Sequence, residues 1–192
     1  MLDKEFVGRL RGAVAEYDKS RREIIRLSDD IRNASKRSIF AMHRDDFGKA
    51  DELLAGALQN AIEVQKSMIT NKLSEEGSFR SALEEYVEAR LYRNYLDGQP
   101  VGAVEVEGID MPHDVYLGGL SDLVGELQRR QVKMATAGNL EEVQQIRDDI
   151  EEIIGEMMEM DLTGYLRNKF DQSKNSFRRA EEVLYELSVR RQ

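Results

Sequence analysis

Apolar residues recur at intervals of three and four along most of the chain, which is the spacing of one face of an α-helix. The stripe from Phe6 to Ala34 is long enough to predict a single first helix. Further stripes follow, separated by glycine, proline or N-cap residues. The predicted helices cover residues 3–43, 46–72, 77–97, 112–137, 140–160 and 163–190.

Several helix boundaries carry specific signals. Ser74 precedes the third helix and predicts a break or a new N-cap. Gly98 is suited to the left-handed conformation that ends a helix, and Pro112 is suited to the first turn of the next one. Asn139 is expected to cap the fifth helix, with Glu142 three residues later as in a capping box.

Residues 98–111 form the main loop, because this stretch has no helical pattern and its valines allow only a short extended piece. No repeat, low-complexity tract or Gly/Ser-rich linker divides the chain. Amphipathic helices without a dividing linker predict an all-α, single-domain bundle over residues 1–192. The first helix would be about 60 Å long. Such a length predicts that another subunit covers part of its surface.

The composition excludes several classes of protein. With no cysteine the chain has no disulfide framework, thiol nucleophile or cysteine-based metal site. The longest uncharged run, 53–62, is ten residues, whereas a membrane span needs roughly 18. The first residues lack the apolar stretch of a secretory signal, so a cytoplasmic protein without membrane contact is expected.

Negative charge predominates but is unevenly distributed. The 37 acidic and 28 basic residues give a net charge of −9, which argues against a protein that binds any nucleic acid by charge alone. Residues 1–50 nevertheless carry +3 and residues 51–192 carry −12. Basic clusters around Lys36 and Arg37, together with Arg80, are either ordinary solvated helix faces or parts of a local basic surface.

Two pairs of acidic residues lie in apolar surroundings. Glu85 and Glu88 are three residues apart, and Asp122 and Glu126 are four apart, so each pair shares a helix face. Like charges about 4 Å apart repel by about 4 kcal/mol at an effective dielectric constant of 20. Convergence of the buried pairs would therefore require protons or a cation, and an all-oxygen cluster favours Mg²⁺ or Mn²⁺. The alternative is that such spacing is ordinary in acidic helices.

Other catalytic motifs are absent. A ferritin-like di-iron site needs Glu-x-x-His on two helices, and neither His43 nor His113 stands three residues after a glutamate. The chain contains no Gly-x-Ser-x-Gly and no Gly-x-x-x-x-Gly-Lys sequence.

Several segments resemble, in the same order, those of the translin/Trax family. The first has the sequence LSDDI followed by SKRSIFAMHR, and the second is LEEYVEA. The resemblance is collinear and covers nearly the whole chain. The similar segments are residues 27–31, 35–44, 83–89, 114–120, 122–127, 136–139 and 181–190.

The resemblance implies a six- or seven-helix all-α bundle that assembles as an octamer. Translin and Trax together form a metal-dependent endoribonuclease for single-stranded RNA, in which Trax supplies carboxylates and translin mainly binds nucleic acid. By this likeness Glu85, Glu88, Asp122 and Glu126 are the expected catalytic residues and ligands of Mg²⁺ or Mn²⁺. The chain is Trax-like at these acids and translin-like near its end, which suggests a single-gene, archaeal-type member forming a homo-octamer.

Two departures from the family bear on nucleic-acid binding. Translin has a basic, histidine-containing stretch where this chain reads SEEGS over residues 74–78, and only Arg80 is retained. The insertion that Trax proteins carry after the third helix is missing. Lys36, Arg37 and Arg80 are the residues expected to contact the RNA backbone.

Three functions are therefore open to this chain. The leading hypothesis is a Mg²⁺- or Mn²⁺-dependent endoribonuclease that cleaves single-stranded RNA as a homo-oligomer. The alternative is a translin-like protein that binds single-stranded RNA or DNA without cleaving it. The third is a purely structural helical assembly without affinity for nucleic acid.

Overall fold

A computed structural model describes residues 1–71 and 77–189. The described part is entirely helical apart from turns and one isolated bridge, which confirms the predicted all-α class. The predicted break at Ser74 and the last predicted helical residue, Arg190, lie outside the described residues. The helices are α1 (Lys4–His43), α2 (Phe47–Asn71), α3 (Gly77–Leu96), α4 (His113–Ala137), α5 (Leu140–Met158) and α6 (Gly164–Val189).

The packing divides the chain into two compact units. The first contains Met1–Tyr86 and Val104–Met111, and the second contains Val87–Ala103 and Pro112–Gln192. Helix α3 contributes its first half to one unit and its second half to the other. The single domain over residues 1–192 stays a prediction.

In the first unit α1 and α2 form a helical hairpin. A three-residue turn, 44–46, joins them, so the two helices run antiparallel. Asp45 takes a left-handed conformation there with φ 61°, and the Asp46 carboxylate accepts a hydrogen bond from the amide of Lys49 at 3.2 Å. Buried Ser38 on α1 donates to the carbonyl of Ala50 on α2 at 3.0 Å, which aligns the two helices near the turn.

Helix α1 extends well beyond its hairpin partner. Its 40 residues span about 60 Å, whereas the 25 residues of α2 span about 37 Å. One face of the half of α1 near the turn is buried, with Ile24 and Ile31 fully inaccessible. The opposite end is exposed, and Leu10 retains 51% of its accessible surface.

In the second unit α4, α5 and α6 pack against one another around leucine and isoleucine side chains. Gly138 ends α4 in the left-handed conformation, φ 78°. The side chain of Asn139 accepts from the amide of Glu142 at 3.3 Å, which confirms the predicted N-cap. The Glu142 carboxylate accepts from the Asn139 side chain at 2.9 Å rather than from its backbone amide, which donates to the carbonyl of Met134, so the capping box is only half formed. Buried Gln131 donates to the carbonyls of Val143 and Ala180, both at 3.2 Å, and so links the three helices.

The loop between α3 and α4 differs from the prediction in detail. Gly98 ends α3 in the left-handed conformation, φ 69°, as expected. The extended piece is reduced to a single antiparallel bridge between Val106 and Ile109, because Gly108 turns the chain back with φ 76°. Pro112 occupies the N-cap of α4 rather than its first turn. Within the described ranges, no helix is both long and apolar enough to cross a membrane.

Candidate functional site

The predicted carboxylates on α3 lie in different units. Glu85 is half-buried in the first unit, where its Oε1 atom lies 2.9 Å from Nζ of Lys36 on α1. Glu88 lies in the second unit and is buried, with 7% of its surface exposed. Among the described residues it is the one acidic or basic residue in the buried class. Because an ionised carboxylate loses hydration on burial, Glu88 requires compensation by hydrogen bonds, a cation or a proton.

The predicted carboxylates on α4 are also paired with cations. Asp122 forms an ion pair with Lys169 of α6, and both side chains are mostly buried. Glu126 lies 3.8 Å from the guanidinium of Arg129, one turn further along α4. Both acidic side chains retain less than a third of their exposure, so their ion pairs are less screened than pairs at the open surface.

A buried tyrosine stands beside this part of α4. Tyr92 on α3 is fully inaccessible, and burial raises its pKa to about 12. Arg130, which hydrogen-bonds to the phenol, opposes the increase, whereas the charge of Glu126 adds to it. Glu88 precedes Tyr92 by four residues and shares its face of α3. The second unit thus combines acidic and basic groups around a phenol that remains neutral at ordinary pH.

Replacement of Tyr92 by phenylalanine is expected to make stability less sensitive to alkali. The pKa of Tyr92 rises from 10.0 to about 12 on folding. Its contribution to stability is therefore complete below pH 10 and is lost as the pH rises through about 12. Between pH 9 and 11 the unfolding free energy of the Tyr92→Phe variant should fall by about 1 kcal/mol less than that of the unmodified protein. Urea unfolding followed by circular dichroism measures this difference, and equal slopes would contradict it.

The four acids do not form a ready-made metal centre. No group of three or more Asp, Glu or His side chains in residues 1–71 and 77–189 is arranged to hold a metal ion. Two of the four carboxylates form ion pairs with lysines instead, Glu85 with Lys36 and Asp122 with Lys169. The donors are nevertheless all carboxylate oxygens, which is the chemistry that Mg²⁺ and Mn²⁺ prefer. Their role as ligands stays a prediction.

A basic–aromatic face, consisting of Lys36, Arg37, Phe40 and Arg44, lies at the end of α1. Phe40 is 54% exposed, and the guanidinium of Arg44 lies 5.6 Å from the centre of its ring. Arg37 is exposed and has no ion-pair partner within the described part of the chain. Because Lys36 contacts Glu85, this face directly adjoins the first of the predicted catalytic acids.

Phe40, Arg44 and Lys169 are not predicted as site residues from the sequence, and the role of Arg80 stays a prediction. Phe40 and Arg44 follow Lys36 at intervals of four, a helical spacing that identifies a shared face. Lys169 is 47 residues from Asp122, so no local pattern reveals their pairing. Arg80, predicted to contact RNA, is half-buried on α3 and already interacts with other residues.

A separate cavity of about 470 Å³ lies in the second unit beside the end of α3. It is lined by Tyr95, Gln99, Pro100 and Asp149 among others, and contains none of the predicted catalytic acids. The Tyr95 hydroxyl donates to Asp149 at 2.6 Å, and burial together with this hydrogen bond raises its pKa. The phenol therefore acts as a neutral hydrogen-bond donor within the fold.

Together these features define an all-α protein with a long first helix, half-buried acids on α3 and α4, and a basic–aromatic face beside one of them. The family model described as Translin family matches residues 19–191. The chain therefore belongs to the Translin family.

Solved structures share the fold. A complex described as AfC3PO with duplex RNA is 22% identical, with a TM-score of 0.83, and the alignment covers 96% of this chain and 97% of that chain. The crystal structure of apo-NeC3PO is 24% identical, with a TM-score of 0.85 and the same coverage. No curated protein sequence matches significantly.

Proposed function

We propose that this protein binds single-stranded RNA on the basic–aromatic face of α1 and cleaves it as a Mg²⁺- or Mn²⁺-dependent endoribonuclease. The observation that carries the proposal is the 2.9 Å contact between Lys36 and Glu85. It joins a surface suited to nucleic acid to a carboxylate suited to a metal. Membership of the Translin family and the duplex RNA in the AfC3PO complex support a nucleic-acid ligand.

The basic–aromatic face has the two features that single-stranded nucleic acid requires. Cationic side chains at its edges attract phosphates, and an exposed ring offers a surface on which a base stacks. Stacking of Arg44 on Phe40 restrains the ring before RNA arrives, so less conformational entropy is lost on binding. Unpaired bases are required for this contact, which favours single strands over duplexes.

Glu85, Glu88, Asp122 and Glu126 are the proposed metal ligands and catalytic residues. When bound, a divalent cation activates water and stabilises phosphoryl oxygens. The chain itself supplies the negative charge that attracts the cation and the lysines that neutralise this charge in its absence. Displacement of Lys36 from Glu85 would leave its ammonium group available to RNA phosphates.

The proposal includes self-association as a homo-octamer formed by a single gene product. The Trax-like acids and the translin-like C-terminal segment lie in one chain, so binding and cleavage need no second family member. Arg80 is retained as a candidate RNA contact that would have to exchange its present interactions.

Incubation of the purified protein with labelled single-stranded RNA tests the function. We expect cleavage with Mg²⁺ or Mn²⁺ and none with EDTA, with slower cleavage of duplex RNA and of DNA. Binding is measured in parallel by fluorescence anisotropy in EDTA. Absence of cleavage with every metal would exclude the nuclease, and absence of binding at low salt would leave only a structural assembly.

The second candidate function is binding without turnover. The ion pairs of Glu85 and Asp122 with lysines favour it, because they satisfy both carboxylates without a metal. It predicts salt-sensitive binding of single-stranded RNA or DNA in the presence and absence of divalent ions. Only the cleavage assay distinguishes it from the nuclease.

Replacement of Phe40 by alanine is expected to weaken binding of single-stranded RNA about tenfold, because stacking of one base contributes roughly 1–3 kcal/mol. Anisotropy in EDTA measures the dissociation constant. Tyr185→Ala is the matched control, because Tyr185 is an exposed aromatic residue on α6 with 71% of its surface accessible. An equal loss in both variants, or no loss at Phe40, would contradict the proposed face.

A further inference from the structure

The exposed end of α1 carries an apolar seam that no described part of the chain covers. Phe6, Leu10, Val14 and Tyr17 retain 55%, 51%, 52% and 46% of their accessible surface. Their spacing is that of one helix face. The family model begins at residue 19, so the seam lies outside the segment that defines the family.

The seam continues the buried stripe of the same helix. Leu10 and Tyr17 are one heptad apart, and the next heptad positions are the buried Ile24 and Ile31. In the buried half α2 packs against this stripe, but α2 is too short to reach the other end. The exposed half therefore has the pattern of a two-helix interface without its second helix.

Local helix propensity does not account for the exposed half. Gly8 and Gly12 both lie in it, and a methyl group at either position would meet nothing within 4 Å. Neither glycine is therefore required for close packing within the chain. Glycine lowers helix stability, and short helices are marginal in water unless another element packs against them. A packing partner explains why this segment has a strict apolar seam.

We propose that this seam pairs in antiparallel orientation with the same seam of a second copy. Phe6, Leu10 and Tyr17 form the centre of the contact together with the exposed Ala13, and Val14 lies at its edge. This inference rests on the self-association included in the proposed function and identifies one surface that mediates it. In the two-fold arrangement Phe6 lies opposite the partner's Tyr17, and Leu10 lies opposite the partner's Ala13. The interface is self-complementary, as in most homodimers.

The flanking residues fit this register. On one side Arg9 lies opposite the partner's Glu16, and symmetry repeats the pair. On the other side Val7 lies opposite the partner's Val14, which extends the apolar contact. Arg9 forms an exposed i, i+4 ion pair with Glu5 of the same helix. Such exposed pairs are weak, so Arg9 can exchange this partner for Glu16 of the second copy.

Parallel pairing fits less well. In that orientation Arg9 would lie opposite the partner's Val14 and lose its acidic partner. In parallel pairing, α1 of the second copy would also run along the stripe from Ile24 onward, where α2 already packs. Antiparallel pairing confines the contact to the exposed half. The partner is a second copy rather than another protein because the antiparallel register pairs the seam's own apolar residues and places Arg9 opposite Glu16.

Cysteine cross-linking tests the register directly, because the natural chain contains no cysteine. Leu10→Cys and Ala13→Cys proteins are oxidised separately and as a mixture, then analysed by non-reducing electrophoresis. We expect a mixed disulfide dimer in excess of either homodimer. Faster cross-linking of Leu10→Cys with itself would indicate parallel pairing and overturn the proposal, as would the absence of cross-linking in all samples.

Charge exchange provides a second, independent test. Arg9→Glu should weaken self-association about tenfold, because two symmetry-related ion pairs become repulsive. Adding Glu16→Arg should restore it. Arg11→Glu is the matched control, with the same charge change outside the seam. Equal weakening by both single variants, or no rescue by the double variant, would contradict the proposed pairing.

The mass of the unmodified assembly separates the two proposals. Mass photometry that shows an oligomer without cross-linking at the seam would reject only the seam. A monomer at every concentration would reject the seam and the proposed homo-octamer together. RNA binding by the basic–aromatic face would be unaffected by either outcome.

Discussion

Replacement of Glu85 or Glu126 by glutamine is expected to abolish RNA cleavage while leaving RNA binding intact. Glutamine preserves the size and one carbonyl oxygen of each side chain but removes the negative charge that attracts a divalent cation. Loss of groups that only support metal ligands costs about 10–100-fold, so loss of a ligand should exceed about 100-fold. Single-turnover cleavage with Mn²⁺ measures the effect.

The structure offers a matched control on the same helix. Glu84 is half-buried like Glu85 but points about 100° away around α3. Glu84→Gln should therefore cleave at the normal rate. Binding in EDTA should be retained or slightly tighter in Glu85→Gln, because Lys36 no longer pairs with a carboxylate. Persistent cleavage in both Glu85→Gln and Glu126→Gln would refute the assigned site.

Replacement of Lys169 by methionine is expected to tighten Mn²⁺ binding. Lys169 forms an ion pair with Asp122, and both side chains are shielded from solvent. A cation that binds Asp122 must first displace the lysine, so the native protein loses an ion pair as it gains a metal. Removal of this competition should lower the dissociation constant for Mn²⁺ about tenfold.

Mn²⁺ binding is measured by electron paramagnetic resonance or calorimetry, independently of cleavage. Lys174→Met is the control, because Lys174 forms a similar pair with Asp171 at 2.6 Å on the same helix. It should leave Mn²⁺ affinity unchanged. Weaker Mn²⁺ binding in Lys169→Met would show that Asp122 is not a ligand in competition with the lysine.

Most of the fold was predictable because helix formation leaves local signals. The stripe beginning at Phe6 predicts α1 nearly to the residue, and Asp3 caps its first turn by accepting from the amides of Glu5 and Phe6. The N-cap of α5 is equally local, because the side chain of Asn139 accepts from the amide of Glu142 three residues later. The extended piece near Val106 was less predictable, because a left-handed glycine shortened it to a bridge.

The candidate site was predictable only in part. Apolar neighbours at Val87 and Ala89 correctly indicated that Glu88 lies in a buried environment. Pairing of Asp122 with Lys169 depends on how α4 packs against α6, which local spacing does not encode. The four-residue spacing of Lys36 and Phe40 shows from the sequence that the two side chains share a face of α1. That Phe40 is exposed on this face is visible only in the three-dimensional structure.

The difference in length between α1 and α2 has a thermodynamic consequence. The end of α1 that α2 does not reach contains two glycines, and none of the described helices covers it. In the proposed pairing, its order would therefore depend on association. Helix content should therefore rise with protein concentration. At low concentration the peptide bonds after Arg9 and Arg11 would be open to trypsin, whereas in the assembly they would be protected. In the proposed pairing, the first helix would couple the folding of a single chain to the number of chains present.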